Sequence, residues 1–142
     1  MGYDLEVQMI NMAADKGLVT APYVFDVPSA EAMTRAGADV LVPHMGLTTK
    51  GSIGARTART LDDCVPLIQE MHDAAVAINP KVMVLCHGGP IAEPADAAYV
   101  LERTHGVVGF FGASSMERLP TEVAITETVR RFKTLKRGAP RH

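Results

Sequence analysis

Cysteine is scarce in this chain, and long apolar runs are missing from it. The 142 residues include two cysteines, Cys64 and Cys86, and two isolated thiols do not make the disulfide framework of a small secreted domain. No segment approaches the roughly 18 uninterrupted apolar residues that a membrane-spanning helix needs. The amino terminus lacks the basic start and apolar middle of a secretory signal. We therefore expect a cytoplasmic protein that has no contact with membranes.

Charge of either sign is not in excess either. The formal net charge is −2, which gives no electrostatic reason to expect a nucleic acid or an anionic membrane surface as a partner. The chain is instead rich in apolar side chains, at 47% of its residues, with 21% charged. This composition supports a packed core, and the length predicts one ordinary domain covering residues 1–142.

Short apolar runs alternate along the chain with amphipathic helical patterns. Runs of β-branched and large apolar residues, bounded by Gly or Pro, predict strands at 23–27, 39–43, 82–86 and 107–111. Helical periodicity predicts helices at 4–16, 30–36, 60–78, 94–103 and from 120 onward. This alternation is typical of a parallel α/β sheet with right-handed crossovers.

Local signals add detail to the predicted helices. Ser29 and Thr60 are suitable N-caps for the second and third helices. The spacing of apolar residues predicts one apolar face on the first helix and one buried stripe on the last. The face of the first helix consists of Leu5, Met9, Met12 and Ala13, and the stripe of the last consists of Ile125, Val129 and Phe132.

The number of strand–helix units limits the architecture. Four units fill nearly the whole chain, whereas a closed eight-stranded barrel takes roughly 250 residues. The fold prediction is therefore α/β, a parallel (βα)4 half of a TIM barrel with a leading helix, and a small open sheet is the alternative. A half-barrel exposes two strand edges and an apolar inner face. We accordingly expect a homo-oligomer or a partner that supplies the missing N-terminal half-barrel.

Ionisable side chains follow the predicted strands at their carboxyl ends, where ligands bind in parallel α/β proteins. His44 and His87 each follow a strand by at most one residue, so they could face each other and act as acid, base or metal ligand. Asp26, at the end of the first strand, could complete a His-His-carboxylate set. No short ligand spacing supports a metal, so none is predicted, and no cofactor is assigned. The alternative is that these histidines only stabilise the rim.

Two loops of small residues follow the third and fourth strands. Small residues let the backbone approach a ligand and leave amide N–H groups free to bind an anion. We expect these loops to bind a small anionic metabolite, while tight turns without a ligand are the alternative. The candidate residues are Gly88, Gly89, Gly112, Ala113, Ser114 and Ser115.

Other candidates lie in the long loop 45–59 and before the last helix. Loops of this length are commonly lids, and Thr48, Thr49 and Arg56 suit a cover over an anion; a mobile surface loop or a subunit contact is the alternative. Arg118 could clamp a carboxylate or phosphate, or pair with Glu117 or Glu122. Cys86 is expected to be a small buried apolar residue rather than a nucleophile.

Three of these segments together resemble the phosphoenolpyruvate hydrolase-like family of TIM-barrel proteins. They read His44-Met45-Gly46-Leu47-Thr48-Thr49, Cys86-His87-Gly88-Gly89-Pro90-Ile91 and Gly109-Phe110-Phe111-Gly112-Ala113-Ser114-Ser115-Met116-Glu117-Arg118-Leu119-Pro120-Thr121-Glu122. The resemblance implies a barrel about twice this length, of which the chain would form strands five to eight. The loops after strands seven and eight are a frequent phosphate site in such barrels.

The same resemblance implies hydrolase or lyase-type chemistry on a phosphoenolpyruvate-like substrate. In that case His87 is the candidate for proton transfer, with His44 and Asp26 opposite it. Some relatives are sensing domains of bacterial transcription activators, so a non-catalytic ligand-sensing or signal-transduction module is a second reading. A truncated gene product that needs a partner half-barrel is the third.

Overall fold

The structure is a computed structural model that describes residues 2–52, 54 and 59–134. Its helices are α1 (Tyr3–Asp15), α2 (Val27–Arg35), α3 (Leu61–Ile78), α4 (Pro94–Leu101) and α5 (Arg118–Lys133). Its strands are β1 (Tyr23–Val24), β2 (Val40–Pro43), β3 (Met83–Cys86) and β4 (Val107–Phe110). The strands form one sheet in the order β1-β2-β3-β4, and each neighbouring pair is parallel. The predicted parallel (βα)4 arrangement with a leading helix is confirmed.

The two faces of the sheet differ in chemistry. On the helix-covered face, Leu41 and Val84 are paired and fully buried, and they pack into a core with Met33 of α2 and Ile68 of α3. Paired residues of parallel strands project to the same side. Tyr23 therefore lies with its partner Val42 on the opposite face, which has no helix over it.

The N-terminal end of α2 corrects the prediction for the first strand. The strand ends at Val24, and Asp26 is the N-cap of α2 instead of a strand residue. The Asp26 carboxylate accepts a hydrogen bond from the Ser29 amide at 2.8 Å, and the Asp26 amide donates to Ser29 Oγ at 3.0 Å. This reciprocal pair is a capping box, and Pro28 in the first helical turn favours it. Ser29 is therefore the third helical residue and not the cap.

The beginning of α3 agrees with the sequence. Thr60 Oγ1 accepts a hydrogen bond from the Asp63 amide at 3.1 Å, while the Asp63 side chain bonds back to the Thr60 amide at 2.8 Å. Thr60 is thus confirmed as an N-cap. Ile68 and Met71 of this helix are buried in the core.

The predicted apolar faces of the first and last helices are not covered. In α1 the residues that pack on the core are Tyr3, Val7 and Ile10, while Met9 and Met12 lie exposed. In α5 the predicted buried stripe is wrong, because Ile125, Val129 and Phe132 are 59%, 48% and 70% exposed. Neither of these two helices has a fully buried residue.

The predicted lid is described only in part. Residues 53 and 55–58, and with them Arg56, lie outside the described residues. The described part of this loop, 45–52, runs from the end of β2 past the carboxyl ends of the strands. Of the helices in the part of the chain that the structure describes, none is both long enough and apolar enough to cross a membrane.

Candidate functional site

His44 and His87 lie side by side at the carboxyl ends of β2 and β3. The two residues form a parallel bridge that continues the pairing of the strands, and the Met45 amide donates to the His87 carbonyl oxygen at 2.9 Å. Their ring centroids are 5.0 Å apart, with an angle of 64° between the ring planes. The structure therefore brings together the two histidines that the sequence pattern singles out.

Aromatic rings surround this pair on the helix-free face of the sheet. The Tyr23 ring stacks on His87 at a centroid distance of 5.0 Å and meets His44 edge-on at 4.9 Å. Phe111 packs edge-on against His87 at 5.7 Å, and Phe25 lies 5.7 Å from His44. These rings replace water around the imidazoles, which strengthens any electrostatic interaction made there.

Sequence reasoning missed these aromatic residues as part of the site. The signal was present, because Phe111 follows β4 as His87 follows β3, and the strand register places such residues on one face. Tyr23 could be found in the same way. It pairs with Val42 on the next strand, and Val42 and His44 lie two residues apart on the same face. The loop residues alone do not reveal these rings, because the signal lies in the alternation of side chains along the strands.

Hydrogen bonds fix both imidazole rings. The Gly46 amide donates to His44 Nδ1 at 3.1 Å, and His87 Nδ1 lies 2.7 Å from the Phe111 carbonyl oxygen. Burial, followed by the nearby His87, lowers the pKa of His44 below its ordinary value of 6.5. At neutral pH the His44 ring is therefore uncharged.

The Gly88-Gly89 turn is shaped by its contact with the preceding loop. Both glycines have positive φ, at 78° and 60°. A Cβ on Gly88 would lie 2.5 Å from the Gly46 carbonyl oxygen, and one on Gly89 would overlap the Met45 carbonyl. The Gly89 amide already donates to Gly46 O at 2.6 Å. Glycine is required here by packing of backbone on backbone, and the Gly89 amide is occupied.

The turn 112–115 has more capacity for an anion. It leads directly into α5, and its carbonyl groups at Ala113 and Ser114 accept from the amides of residues 116–119. The amides of Gly112, Ala113, Ser114 and Ser115 themselves donate no hydrogen bond to any residue the structure describes. Such a run of N–H groups before a helix is suited to an anion. Phe111, whose carbonyl bonds His87, immediately precedes it.

Arg118 is engaged within the protein. Its Nη1 donates to Glu122 Oε1 at 2.9 Å and its Nη2 donates to the Lys50 carbonyl oxygen at 3.1 Å. This geometry corresponds to the pairing with Glu122 rather than to an open clamp. Ser52 also bonds Glu122, through its amide at 3.0 Å. Arg118 and Glu122 thus tie the described part of the loop to α5.

A second tie holds the same loop to α4. Lys50 Nζ lies 2.6 Å from Glu93 Oε2 and 2.9 Å from Asp96 Oδ2. Thr49 donates from its amide to the Gly89 carbonyl oxygen at 3.2 Å, and its hydroxyl reaches the same oxygen at 3.4 Å. Thr48, which precedes Thr49, is half-buried. The loop 47–52 therefore rests over the turn that follows β3.

The suggested His-His-carboxylate arrangement is not formed. Asp26 holds the N-terminus of α2, and the hydrogen bonds from the Ser29 hydroxyl and amide lower the pKa of its carboxyl. Within residues 2–52, 54 and 59–134, no three His, Cys, Asp or Glu side chains are placed to hold a metal ion. Cys86 is fully buried, and burial raises the pKa of its thiol to about 11. The reading of Cys86 as a small buried residue is confirmed.

Comparison with known proteins identifies relatives that match most of the chain. The family described as phosphoenolpyruvate hydrolase-like matches residues 1–135. Two tomato (Solanum lycopersicum) proteins, ToMV susceptible protein tm-1(GCR26) and ToMV resistance protein Tm-1(GCR237), are 59% and 58% identical over 135 residues, 95% of this chain. The chain spans 18% of the length of each of these two relatives.

More distant similarities reach other kinds of protein. The putative transcriptional regulatory protein y4pA of Sinorhizobium fredii is 26% identical over 95% of this chain and 22% of its own length. The Amycolatopsis orientalis BexX/CysO complex contains a chain that is 15% identical, with a TM-score of 0.48 over 96% of this chain and 53% of that one. The structural likeness is too weak to bear on fold or function.

Proposed function

Because the chain belongs to the phosphoenolpyruvate hydrolase-like family, we propose that the carboxyl end of its sheet binds a small phosphorylated or carboxylated metabolite. The reaction proposed there is hydrolase or lyase-type chemistry next to the bound carboxylate. One observation carries this proposal. The His44–His87 pair adjoins a turn, 112–115, whose four amides donate to no described residue.

Each part of the site has a proposed role. The amides of 112–115 hold the anionic group, with the hydroxyls of Ser114 and Ser115 beside them. His87 transfers a proton, because the Phe111 carbonyl oxygen holds its Nδ1 atom and leaves Nε2 as the ring nitrogen for the substrate. Gly88 and Gly89 keep the rim low enough for a ligand to approach. Asp26, which caps α2, is assigned to positioning Phe25 and the end of β1.

The loop 47–52 is proposed as the cover of the site. Thr49 bonds to the Gly89 carbonyl oxygen, and we assign its hydroxyl, with that of the neighbouring Thr48, to contact with a bound ligand. Arg118 binds Glu122 and the Lys50 carbonyl in the structure. A ligand that recruits the Arg118 guanidinium must therefore compete with Glu122, which couples anion binding to the position of this loop.

Thermal unfolding with added anions tests the proposal. Inorganic phosphate and phosphoenolpyruvate should each raise the Tm, since a ligand at about 100 times its Kd stabilises the folded state by about 2.7 kcal/mol. Ser115→Pro removes one proposed amide donor and should reduce the shift, while Ser115→Ala keeps the amide and should preserve most of it. An unchanged Tm with both anions would remove the support for an anion site at this rim.

A second candidate function is a sensing module without turnover. Its specific support is the 26% identity over 95% of this chain with a protein named as a putative transcriptional regulator. The same pocket would then bind an effector that a partner reads out. His87→Ala separates the two candidates, because a sensor should lose affinity, whereas an enzyme should lose turnover and still bind a substrate analogue.

Exposed apolar side chains on α1, β3 and α5 support a partner for either function. They are Met9 and Met12 of α1, Met83 of β3, and Ile125 and Phe132 of α5. We propose that further parallel strands, from a second copy or from an N-terminal half-barrel, cover this surface. Light scattering of the purified chain tests this, and a stable monomer at high concentration argues against self-association.

A further inference from the structure

We infer that His44 and His87 are held in opposite tautomers, so that the pair presents one N–H donor and one lone pair to a 2-oxo carboxylate substrate. This inference rests on the proposed function, because it places the ligand at the same rim. It goes further in naming the substrate class and in giving each histidine a separate chemical task. The contact that each Nδ1 atom makes fixes the tautomer of its ring.

The tautomer of His44 follows from its backbone partner. The Gly46 amide N–H lies 3.1 Å from His44 Nδ1, and an amide nitrogen can only donate. His44 Nδ1 therefore carries a lone pair. A neutral imidazole bears one proton, so in His44 that proton is on Nε2. The low pKa that burial and the neighbouring His87 give His44 keeps this neutral form at physiological pH.

The tautomer of His87 follows in the same way with the opposite result. Its Nδ1 lies 2.7 Å from the Phe111 carbonyl oxygen, and a carbonyl oxygen can only accept. The proton is therefore on Nδ1, and the Nε2 atom of neutral His87 carries the lone pair. A histidine oriented by a carbonyl through Nδ1–H is the common arrangement for a general base that acts through Nε2.

Both Nε2 atoms are available to a ligand. Neither makes a hydrogen bond to any residue in the described ranges, and no buried side-chain nitrogen or oxygen there lacks a partner. Each Nε2 therefore reaches the surface of the site. A centroid distance of 5.0 Å lets one small ligand touch both rings.

A donor beside a base matches the needs of enolisation. His87 Nε2 takes a proton from the carbon next to a carbonyl group, and the electron pair of that C–H bond forms a C=C bond. The π pair of the carbonyl moves onto its oxygen, which accepts a hydrogen bond from His44 Nε2–H. The carboxylate of the substrate binds the amides of 112–115. Returning the proton from His87 reverses the step, and no oxidant or other reactant is needed.

A neutral donor suits this step better than a cation pair would. Two imidazolium rings at this distance repel each other and would bind an anion without offering a base. The rings of Tyr23 and Phe111 pack against His87, and the lowered pKa of His44, caused by burial and then by His87, favours a neutral donor. The arrangement is thus specific for a substrate that has an acceptor oxygen and an acidic C–H on adjacent atoms.

The first test measures the tautomers directly in the protein without ligand. In ¹⁵N NMR of the imidazole rings at about pH 8, above the ordinary histidine pKa, His44 should be protonated on Nε2 and His87 on Nδ1. Finding the same tautomer in both rings would overturn the inference, whether or not any anion binds.

The second test follows exchange of the methyl protons of pyruvate, the smallest methyl 2-oxo acid, in ²H₂O. Pyruvate exchange should be catalysed by the full chain and fall by about 10² or more in His87→Gln, which removes the base. His44→Phe should also lose exchange, and His44→Gln should retain more of it because the amide nitrogen can still donate. The pyruvate-induced Tm shift is measured for each variant.

Different results would contradict the anion site and the roles of the two histidines. If pyruvate raises the Tm of the parent chain but exchange stays at the uncatalysed rate, the anion site stands and the assignment of the histidines falls. If neither pyruvate, phosphate nor phosphoenolpyruvate changes the Tm, the proposed function itself falls. If His44→Phe exchanges as fast as the parent, His44 is not the donor, and the inference is overturned.

Discussion

His44 and His87 occupy bridged positions on two neighbouring parallel strands, and their rings share one aromatic surround with centroids 5.0 Å apart. The closeness has an energetic consequence. Burial, and then the neighbouring His87, lowers the pKa of His44 and so disfavours its charged form. The protonation of His44 is therefore coupled to folding.

Stability should depend on pH through His44. Its folded pKa is below 6.5, first because of burial and then because of His87, so between the two values the unfolded chain binds more protons than the folded one. The contribution of neutral His44 to stability is fully present above pH 6.5, and it is lost as the pH falls from 6.5 through the lower pKa of the folded state. Urea denaturation at a series of pH values measures this slope.

His44→Gln should flatten that slope, since glutamine does not titrate. His105→Gln is the matched control, because His105 is exposed and precedes β4 at the opposite end of the sheet. If His44→Gln leaves the pH dependence as it was, the coupling of this ring to folding is refuted.

The Gly88 turn should tolerate a side chain poorly. Gly88→Ala introduces a Cβ 2.5 Å from the Gly46 carbonyl oxygen at a positive φ of 78°. Gly17→Ala is the control, because Gly17 has a φ of 71° and nothing lies within 4 Å of the added Cβ. Gly17→Ala should cost about 1–2 kcal/mol for the left-handed conformation alone. Gly88→Ala should cost about 1–3 kcal/mol more for the overlap.

Chemical denaturation of the two alanine variants compares these free energies of unfolding. Equal losses in both would mean that the turn after β3 can move away from Gly46. The contact between the two loops would then not be what demands glycine at position 88.

The link between Arg118 and the covering loop should be measurable at one amide. Arg118→Ala removes the partner of Glu122, whose Oε2 accepts from the Ser52 amide at 3.0 Å. Hydrogen exchange at Ser52 should accelerate, because Glu122 loses the ion pair that holds its carboxylate in place. Arg35→Ala breaks the exposed Arg35–Glu31 pair and should leave the exchange at Ser52 unchanged. Unchanged Ser52 exchange in Arg118→Ala would show that the loop is held by other contacts.

The apolar stripe of α5 should contribute little to the stability of the dilute chain. Ile125→Ala alters a side chain that is 59% exposed, whereas Ile68→Ala alters one that is fully buried. We expect a change within about 0.5 kcal/mol for the first and a loss of about 2–5 kcal/mol for the second. Comparable losses at micromolar concentration would mean that α5 packs on the core in solution.

The sequence predicts the sheet well because the evidence for it is local. The run 82–86 consists of apolar residues and ends at a turn, which predicts a buried strand. Thr60 is followed three residues later by Asp63, which predicts a helix cap. Neither prediction needs tertiary information. Asp26 shows the limit of the same method. From the sequence alone, Asp26 is compatible with either the end of a strand or the N-cap of a helix. In the structure its reciprocal hydrogen bonds with Ser29 make it the N-cap.

Other features depend on contacts that are distant along the chain. Periodicity finds the apolar face of α5, but what covers Ile125 or Phe132 depends on surfaces beyond the helix itself. From the sequence alone, glycine at position 88 could allow the close approach of either a ligand or a neighbouring backbone segment. In the structure the Gly46 carbonyl oxygen occupies the space that a Cβ would need. The aromatic surround of His87 was missed because it requires the register of three strands at once.

The most direct test of the anion site is an NMR titration of the ¹⁵N-labelled chain with phosphoenolpyruvate. The account predicts that the amides of Gly112, Ala113, Ser114 and Ser115 shift together with the His87 ring and saturate at one common ligand concentration, while His105 does not move. Shifts confined to the basic last turn of α5, at Arg130, Arg131 and Lys133, with residues 112–115 unaffected, would contradict it.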